Sequence, residues 1–161
     1  MKDYPITQAV RFLRERQITF APHLYEYEEK GGTSRSAREL GVAEHAVIKT
    51  LVMEDERKRP LVVLMHGDFE VSTKALARHL GVKSIAPCAP QVADKHSGYQ
   101  VGGTSPFGLR TKMPIYAEAS IFDLETIYIN GGKRGFLISL APQVLGHELG
   151  AVPVNVAVPK L

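Results

Sequence analysis

Two features of this sequence can do chemistry. The first is Lys49, inside the apolar run Val47-Ile48-Lys49-Thr50-Leu51-Val52-Met53. A lysine so placed must either snorkel outward or hold its ammonium paired in a cleft, because an unpaired buried charge is costly. In a regular strand its neighbour Thr50 points to the opposite face. The second feature is residues 98–108, Gly-Tyr-Gln-Val-Gly-Gly-Thr-Ser-Pro-Phe-Gly. Such a backbone turns where side chains would collide, and its amides can crowd around oxygen atoms. An anion or oxyanion nest and a tight connection between two strands both satisfy these glycines.

The spacing excludes other chemistries. Gly103 is followed by Thr104, Ser105 and Pro106 with no lysine before Lys112, so this is no Walker loop. Pro106 and Gly108 oppose the helix that a dinucleotide fingerprint requires. Ser105 does not sit in a nucleophile elbow. His147 and Glu148 lack the second histidine of a zinc-protease helix, and the six histidines show no metal-ligand spacing. Cys88, the sole cysteine, lies between Pro87 and Ala89 and reads as a small buried hydrophobe. Lys133 and Arg134 follow Asn130-Gly-Gly at a turn, where they form either a solvated hairpin tip or a phosphate contact.

The elements that must position these residues follow from period and punctuation. Helical spacing covers residues 6–16, and residues 18–27 read as a half-buried strand with an edge or bend at Pro22. The loop 31–34 caps a helix that Gly41 stops. Residues 47–53 and 61–65 form a hairpin, and Ser72 caps a helix stopped by Gly81. A short helix covers residues 90–95, strands cover 115–117, 126–130 and 136–140, and a helix runs from Pro142 to Gly150. The near-identical hexapeptides at 37–42 and 77–82 are two ordinary helix ends. Hairpins with helices between them give an α+β class with a mixed, curled sheet.

The whole chain, 161 residues, fits one domain. One cysteine, no apolar leader and no bilayer-length apolar run point to a soluble cytoplasmic protein without membrane contact. A net charge of +3 is too mild for a protein that coats nucleic acid along its length, so contact with RNA or DNA is local.

Three blocks in order, Val47-Ile-Lys49-Thr50-Leu-Val, residues 98–108 and Ile127-Tyr-Ile-Asn-Gly-Gly-Lys-Arg-Gly135, closely resemble the YbaK/EbsC proteins. These are free-standing relatives of the editing domain inserted in bacterial prolyl-tRNA synthetase. The resemblance implies a single editing domain over residues 1–161. It implies a curled, mixed, largely antiparallel and barrel-like sheet flanked by short helices, and deacylation of mischarged tRNA in trans. Lys49 would be the key polar residue of the pocket, with Thr50 beside it. The Gly102-x-x-x-Pro106 loop, including Gly103, Thr104 and Ser105, would line the pocket and offer amides to the ester. Tyr25 falls where relatives carry a pocket tyrosine, and Asn130 borders the substrate.

On this reading no side-chain nucleophile, cofactor or metal is needed. Amides of residues 102–105 would stabilise an oxyanion while Lys49 positions a phosphate or ribose oxygen. Water or, for a cysteinyl ester, the substrate's thiol would attack. Tyr25 or Tyr99 would stack on the terminal adenine, with Lys133 and Arg134 on phosphates. The implied partners are the tRNA acceptor end and prolyl-tRNA synthetase or an elongation factor, without DNA. Where the cysteine-clearing branch carries a serine and an aspartate, this chain has Asn130 and Leu137. Family membership thus stands better than the choice of amino acid: the resemblance puts Cys-tRNA(Pro) or Cys-tRNA(Cys) first, with another small amino acid such as Ala on tRNA(Pro) as the alternative. A hydrolase of small acylated metabolites and a non-catalytic module binding an RNA end or a synthetase are the rivals.

Overall fold

The computed structural model describes residues 3–160. Thr7 caps α1 (Gln8–Glu15), its hydroxyl accepting the Val10 amide, and Ala9, Val10 and Leu13 form the buried face. The helix starts later than the periodicity suggests, because the cap excludes Ile6, which is 48% exposed. β1 (Ala21–Leu24) is shorter than expected and sits at a sheet edge, where Pro22 costs no ladder bond. α2 (Gly32–Leu40) begins before Ser34 and has no side-chain cap, because its N-cap is Gly31, which has no side chain to offer; the Thr33 hydroxyl inside the first turn instead donates to Glu44 and the Gly67 carbonyl.

β2 (Val47–Asp55) and β3 (Pro60–His66) form the expected antiparallel hairpin. The chain continues through β4 (Phe69–Val71), α3 (Thr73–Leu80), β5 (Ile85–Pro87) and α4 (Pro90–Ser97). It ends with β6 (Ile115–Glu118), β7 (Ile127–Lys133), β8 (Phe136–Leu140), α5 (Gln143–Leu149), β9 (Val152–Val154) and β10 (Ala157–Pro159). The main sheet has the order β1-β8-β7-β2-β3-β6-β9, with β5 also on β2, while β10 pairs with β4. Three pairings in it are parallel (β2 with β7, β3 with β6, β6 with β9) and the other four antiparallel. The sheet is open, so the barrel-like expectation gives way to a mixed sheet with two free ends.

Helices cover both faces. On one, Ile48, Val52, Leu64, Ile129 and Ile138 pack against α1, α4 and α5. On the other, Met53, Val63 and Met65 meet Leu76 and Ala77 of α3, and Val47 and Leu137 meet Ala37 of α2. No helix among the described residues is long and apolar enough to cross a membrane.

His66, fully buried at the end of β3, bonds the His45 carbonyl through Nδ1 and the Ser120 hydroxyl through Nε2, both at 2.7 Å. Burial holds its pKa below 6.5. The unfolded chain therefore takes up this proton first, so the contribution is intact above pH 6.5 and is lost as pH falls. The thermal midpoint should drop between pH 7 and 5, and His66→Gln should flatten that slope in a calorimetric series.

Candidate active site

The sheet has a gap beside β2. On the side away from β3, β7 pairs only with Val47 and Ile48, and β5 only with Met53, Glu54 and Asp55. No strand among the described residues flanks Lys49, Thr50 or Leu51 there, and the Val52 carbonyl takes the Cys88 amide at 3.1 Å. β7 turns away because its register against β8 shifts between Asn130 and Lys133. Gly131 permits this: a Cβ there would lie 2.5 Å from the Phe136 ring.

Lys49 shares a sheet face with Val47 and Met53, is half-buried, and donates from Nζ to the Phe69 carbonyl. It is neither snorkelled freely nor ion-paired among the described residues; a backbone dipole holds it. Burial, followed by the charge of Lys160, pulls its pKa down, and Glu70, Glu44 and Asp68 oppose that shift. Thr50 shares the face of Ile48 and Val52, opposite Lys49, so the two side chains do not line one wall. Its hydroxyl oxygen is buried without a hydrogen-bond partner among the described residues.

Asn130 stands one residue past the last β2–β7 pair and opposite Leu137, which packs with Val47, Tyr25 and Tyr128. It is therefore on the Lys49 side. Its Oδ1 accepts the amides of Gly132 (2.7 Å) and Lys133 (3.1 Å), and its Nδ2 donates to the Gly102 carbonyl at 3.2 Å. This side chain ties the glycine loop to the sheet.

The loop is pinned at both ends by Tyr99 and Phe107, buried in the core and joined by a bond from the Tyr99 hydroxyl to the Phe107 carbonyl. Tyr99 is thus 7% exposed and cannot stack on a base, which corrects that expectation. Gly103 lies on the β7–β8 turn, where a Cβ would meet Arg134 N at 2.7 Å and Lys133 C at 2.8 Å. Its amide already donates to the Gln100 carbonyl at 2.7 Å, so Gly103 cannot offer that amide to an oxyanion. The amides of Gly102, Thr104 and Ser105 have no backbone acceptor among the described residues. Thr104, Ser105 and Pro106 are buried, and the Ser105 hydroxyl accepts the Phe107 amide at 3.2 Å. Those two side chains shape the loop rather than present hydroxyls to a pocket.

Arg134 has a role beyond the expected phosphate contact. Its Nε donates to the Val101 carbonyl at 3.0 Å and its guanidinium lies 5.1 Å from the centre of the Tyr27 ring, so it braces the loop. Lys133 beside it is exposed. Tyr25 is half-buried against Val47 and Leu137, and burial raises its pKa. Tyr27 had no assigned role in the sequence reading; its hydroxyl would lie 2.9 Å from a Cβ on Gly102. The Tyr-x-Tyr alternation, which puts both rings on one side of an extended chain, was the available signal.

Cys88 donates to Glu54 Oε1 at 3.4 Å, and burial with that carboxylate pushes its pKa up to about 11, far from a reactive thiolate. His45, His66 and Asp68 bring possible ligand atoms within 4.8 Å of one another, a grouping their sequence spacing hides. Both His66 nitrogens are already engaged, and His45 Nδ1 bonds Asp68 at 2.9 Å. Binding an ion here would cost those bonds.

Residues 28–147 match the aminoacyl-tRNA editing domain family. EbsC of Enterococcus faecalis, provisionally named a Cys-tRNA(Pro)/Cys-tRNA(Cys) deacylase, is 28% identical over 140 residues, covering 86% of this chain and 85% of that protein. The proline–tRNA ligase of Citrifermentans bemidjiense is 33% identical over 82 residues, 51% of this chain but 14% of the ligase. Among solved structures, hypothetical protein APE2540 superposes with a TM-score of 0.85 at 21% identity, covering 94% of this chain and 99% of that one. A protein provisionally described as a trans-editing enzyme for prolyl tRNA synthetase gives 0.82 at 20% identity, with 98% and 99% covered. With the match spanning most of its length, the chain belongs to the aminoacyl-tRNA editing domain family, whose members are deacylases.

Proposed function

We propose that this chain removes a wrong amino acid from tRNA in trans, with a cysteinyl ester on tRNA(Pro) or tRNA(Cys) as its substrate. The observation that carries this reading is the gap beside β2, which leaves Lys49 open on the same sheet face where Asn130 fastens the glycine loop. α1 packs in the main core and β9 pairs with β6, which supports one editing unit extending beyond the family match.

In the proposed reaction the ester carbonyl lies against the amides of the exposed Gly102 and its loop neighbour Thr104, which stabilise the developing oxyanion. Lys49 holds a ribose oxygen or phosphate. A water oxygen bonds the carbonyl carbon, the bond to the ribose oxygen breaks, and the proton passes to that oxygen, leaving free amino acid and tRNA. In a cysteinyl ester the substrate's sulfur can bond the same carbon instead, the bond to the ribose oxygen breaking and the thiol proton passing to that oxygen, which leaves a thiolactone and tRNA. Asn130 acts by positioning the loop, since its side-chain oxygen and nitrogen are both occupied.

A second reading, alanyl-tRNA(Pro) as substrate, is favoured by Leu137, which puts a buried apolar side chain beside Tyr25 where the cysteine-clearing pattern has a carboxylate. The test is a deacylation panel of Cys-tRNA(Pro), Cys-tRNA(Cys), Ala-tRNA(Pro), Ser- and Thr-charged tRNAs, and Pro-tRNA(Pro). Selective loss of a cysteinyl ester is expected, selective loss of alanine would establish the second reading, and survival of every ester would overturn both.

A further inference from the structure

A groove of about 550 Å³ lies beside the glycine loop and is lined by Tyr4, Leu24, Tyr25, Tyr27, Lys133 and Arg134. Its volume is that of a small-ligand site rather than of a duplex-sized trough. The walls combine aromatic rings with cations. The Tyr4 ring stacks on Phe136 at 5.9 Å and 22°, and its hydroxyl accepts from Arg14 at 2.7 Å, so it is held in place before anything binds. Tyr27 is held by the Arg134 guanidinium above it. Leu24 is 49% exposed, an apolar side chain left open to solvent on the edge strand. Asp3 is the one carboxylate among the described lining residues.

Planar rings with a free cation beside them suit unpaired nucleotides, whose bases stack without sequence demand and whose phosphates seek positive charge. The groove also adjoins the loop: Tyr27 and Arg134 line it and are the groups a Cβ on Gly102 would strike, at 2.9 and 3.1 Å. A strand entering at Tyr4 and leaving at Tyr27 therefore arrives at the exposed Gly102 backbone. We infer that this groove takes the single-stranded nucleotides preceding the aminoacylated adenosine, with bases on Tyr4, Tyr25 and Leu24 and a phosphate on Lys133. The inference rests on the deacylase reading for what is attached to the strand, but not for the strand itself.

Lys133→Ala and Leu24→Asp, both at exposed positions, test it on the intact protein. Three probes are used: fluorescently labelled 5′-ACCA-3′ RNA for binding, a full aminoacyl-tRNA for turnover, and the corresponding 3′-aminoacyl-adenosine, which lacks the preceding nucleotides. Each variant should weaken the oligonucleotide about 5- to 20-fold and raise KM for the tRNA by a similar factor, with kcat and aminoacyl-adenosine turnover unchanged. Lys133→Ala should also reduce the salt dependence of oligonucleotide binding by about 0.7 in log–log slope. Wild type that cleaves both esters while the variants bind and cleave like it overturns the groove and leaves the deacylase reading standing. Equal damage to tRNA and aminoacyl-adenosine overturns it too, as does wild type that fails to bind the oligonucleotide at low salt. Oligonucleotide binding that both substitutions weaken, with neither ester cleaved, upholds the groove and sinks the deacylase reading instead.

Discussion

Lys49→Ala should reduce deacylation by about 10²–10³-fold in kcat with little change in the thermal midpoint. A transition-state contact of one charged donor has that magnitude, and the lysine is arranged for it: its ammonium is held by the Phe69 carbonyl, half out of water. The stability side follows from the depressed pKa, caused first by burial. The folded protein holds this proton less tightly than the unfolded chain, so the lysine opposes folding below its folded pKa and does so less as pH rises through that value toward 10.5. Removing it relieves that cost and leaves one carbonyl unpaired, and the two nearly offset. Lys49→Met, which retains the apolar stem, separates charge from packing and should be as inactive as alanine. Lys49→Arg should also fail, because a planar guanidinium does not reproduce a compact ammonium. Single-turnover rates with any sensitive ester check all three, and near-wild-type turnover by the methionine variant would remove Lys49 from the chemistry.

Gly103→Ala is the second substitution with a large expected effect. Its new methyl would sit 2.7–2.8 Å from backbone atoms of Arg134 and Lys133, which cannot swing aside as a side-chain tip can. The loop must lift from the β7–β8 turn, carrying the amides of Gly102, Thr104 and Ser105 with it. Loss of about 100-fold in kcat or more is expected, together with about 1–3 kcal/mol of stability. Gly81→Ala is the control: its φ of +71° strains alanine, but open space surrounds it. That variant should lose about 1 kcal/mol and keep full activity. Parallel urea titrations and rate measurements distinguish the two, and a fully active Gly103→Ala would show that the amides need no such fixed seat.

Much of this was legible because the informative residues break their local pattern. A lysine in an apolar strand, glycines around a proline, and a turn carrying two cations each state a constraint that few backbones meet. The hairpin, the first helix and the helix capped by Ser72 were legible from period and caps, which are local, although the Thr7 cap that sets where the first helix starts was not. Hidden were relations between distant residues. Nothing in residues 47–53 says that β7 pairs alongside them in parallel for two residues and then leaves. β4, β5, β9 and β10, with three residues each, are too short to show an alternation. Tyr99 and Tyr27 looked equally free, yet one anchors the loop in the core and the other meets its exposed glycine. Likewise, the Gly103 amide seemed available until the Gln100 carbonyl claimed it, and the sequence did not show that Arg134 also braces the loop through Val101.

The brief pairing of β7 with β2 also has a mechanical meaning. It divides the sheet into two leaves, β1-β8-β7 and β2-β3-β6-β9, stitched by Val47↔Tyr128 and Ile48↔Ile129 alone. Lys49 rides on one leaf, while Asn130 fastens the glycine loop to the other. The shared core beneath keeps the leaves together. The spacing between lysine and loop is therefore set by how two leaves dock across a two-residue seam and not by a continuous ladder of strand hydrogen bonds.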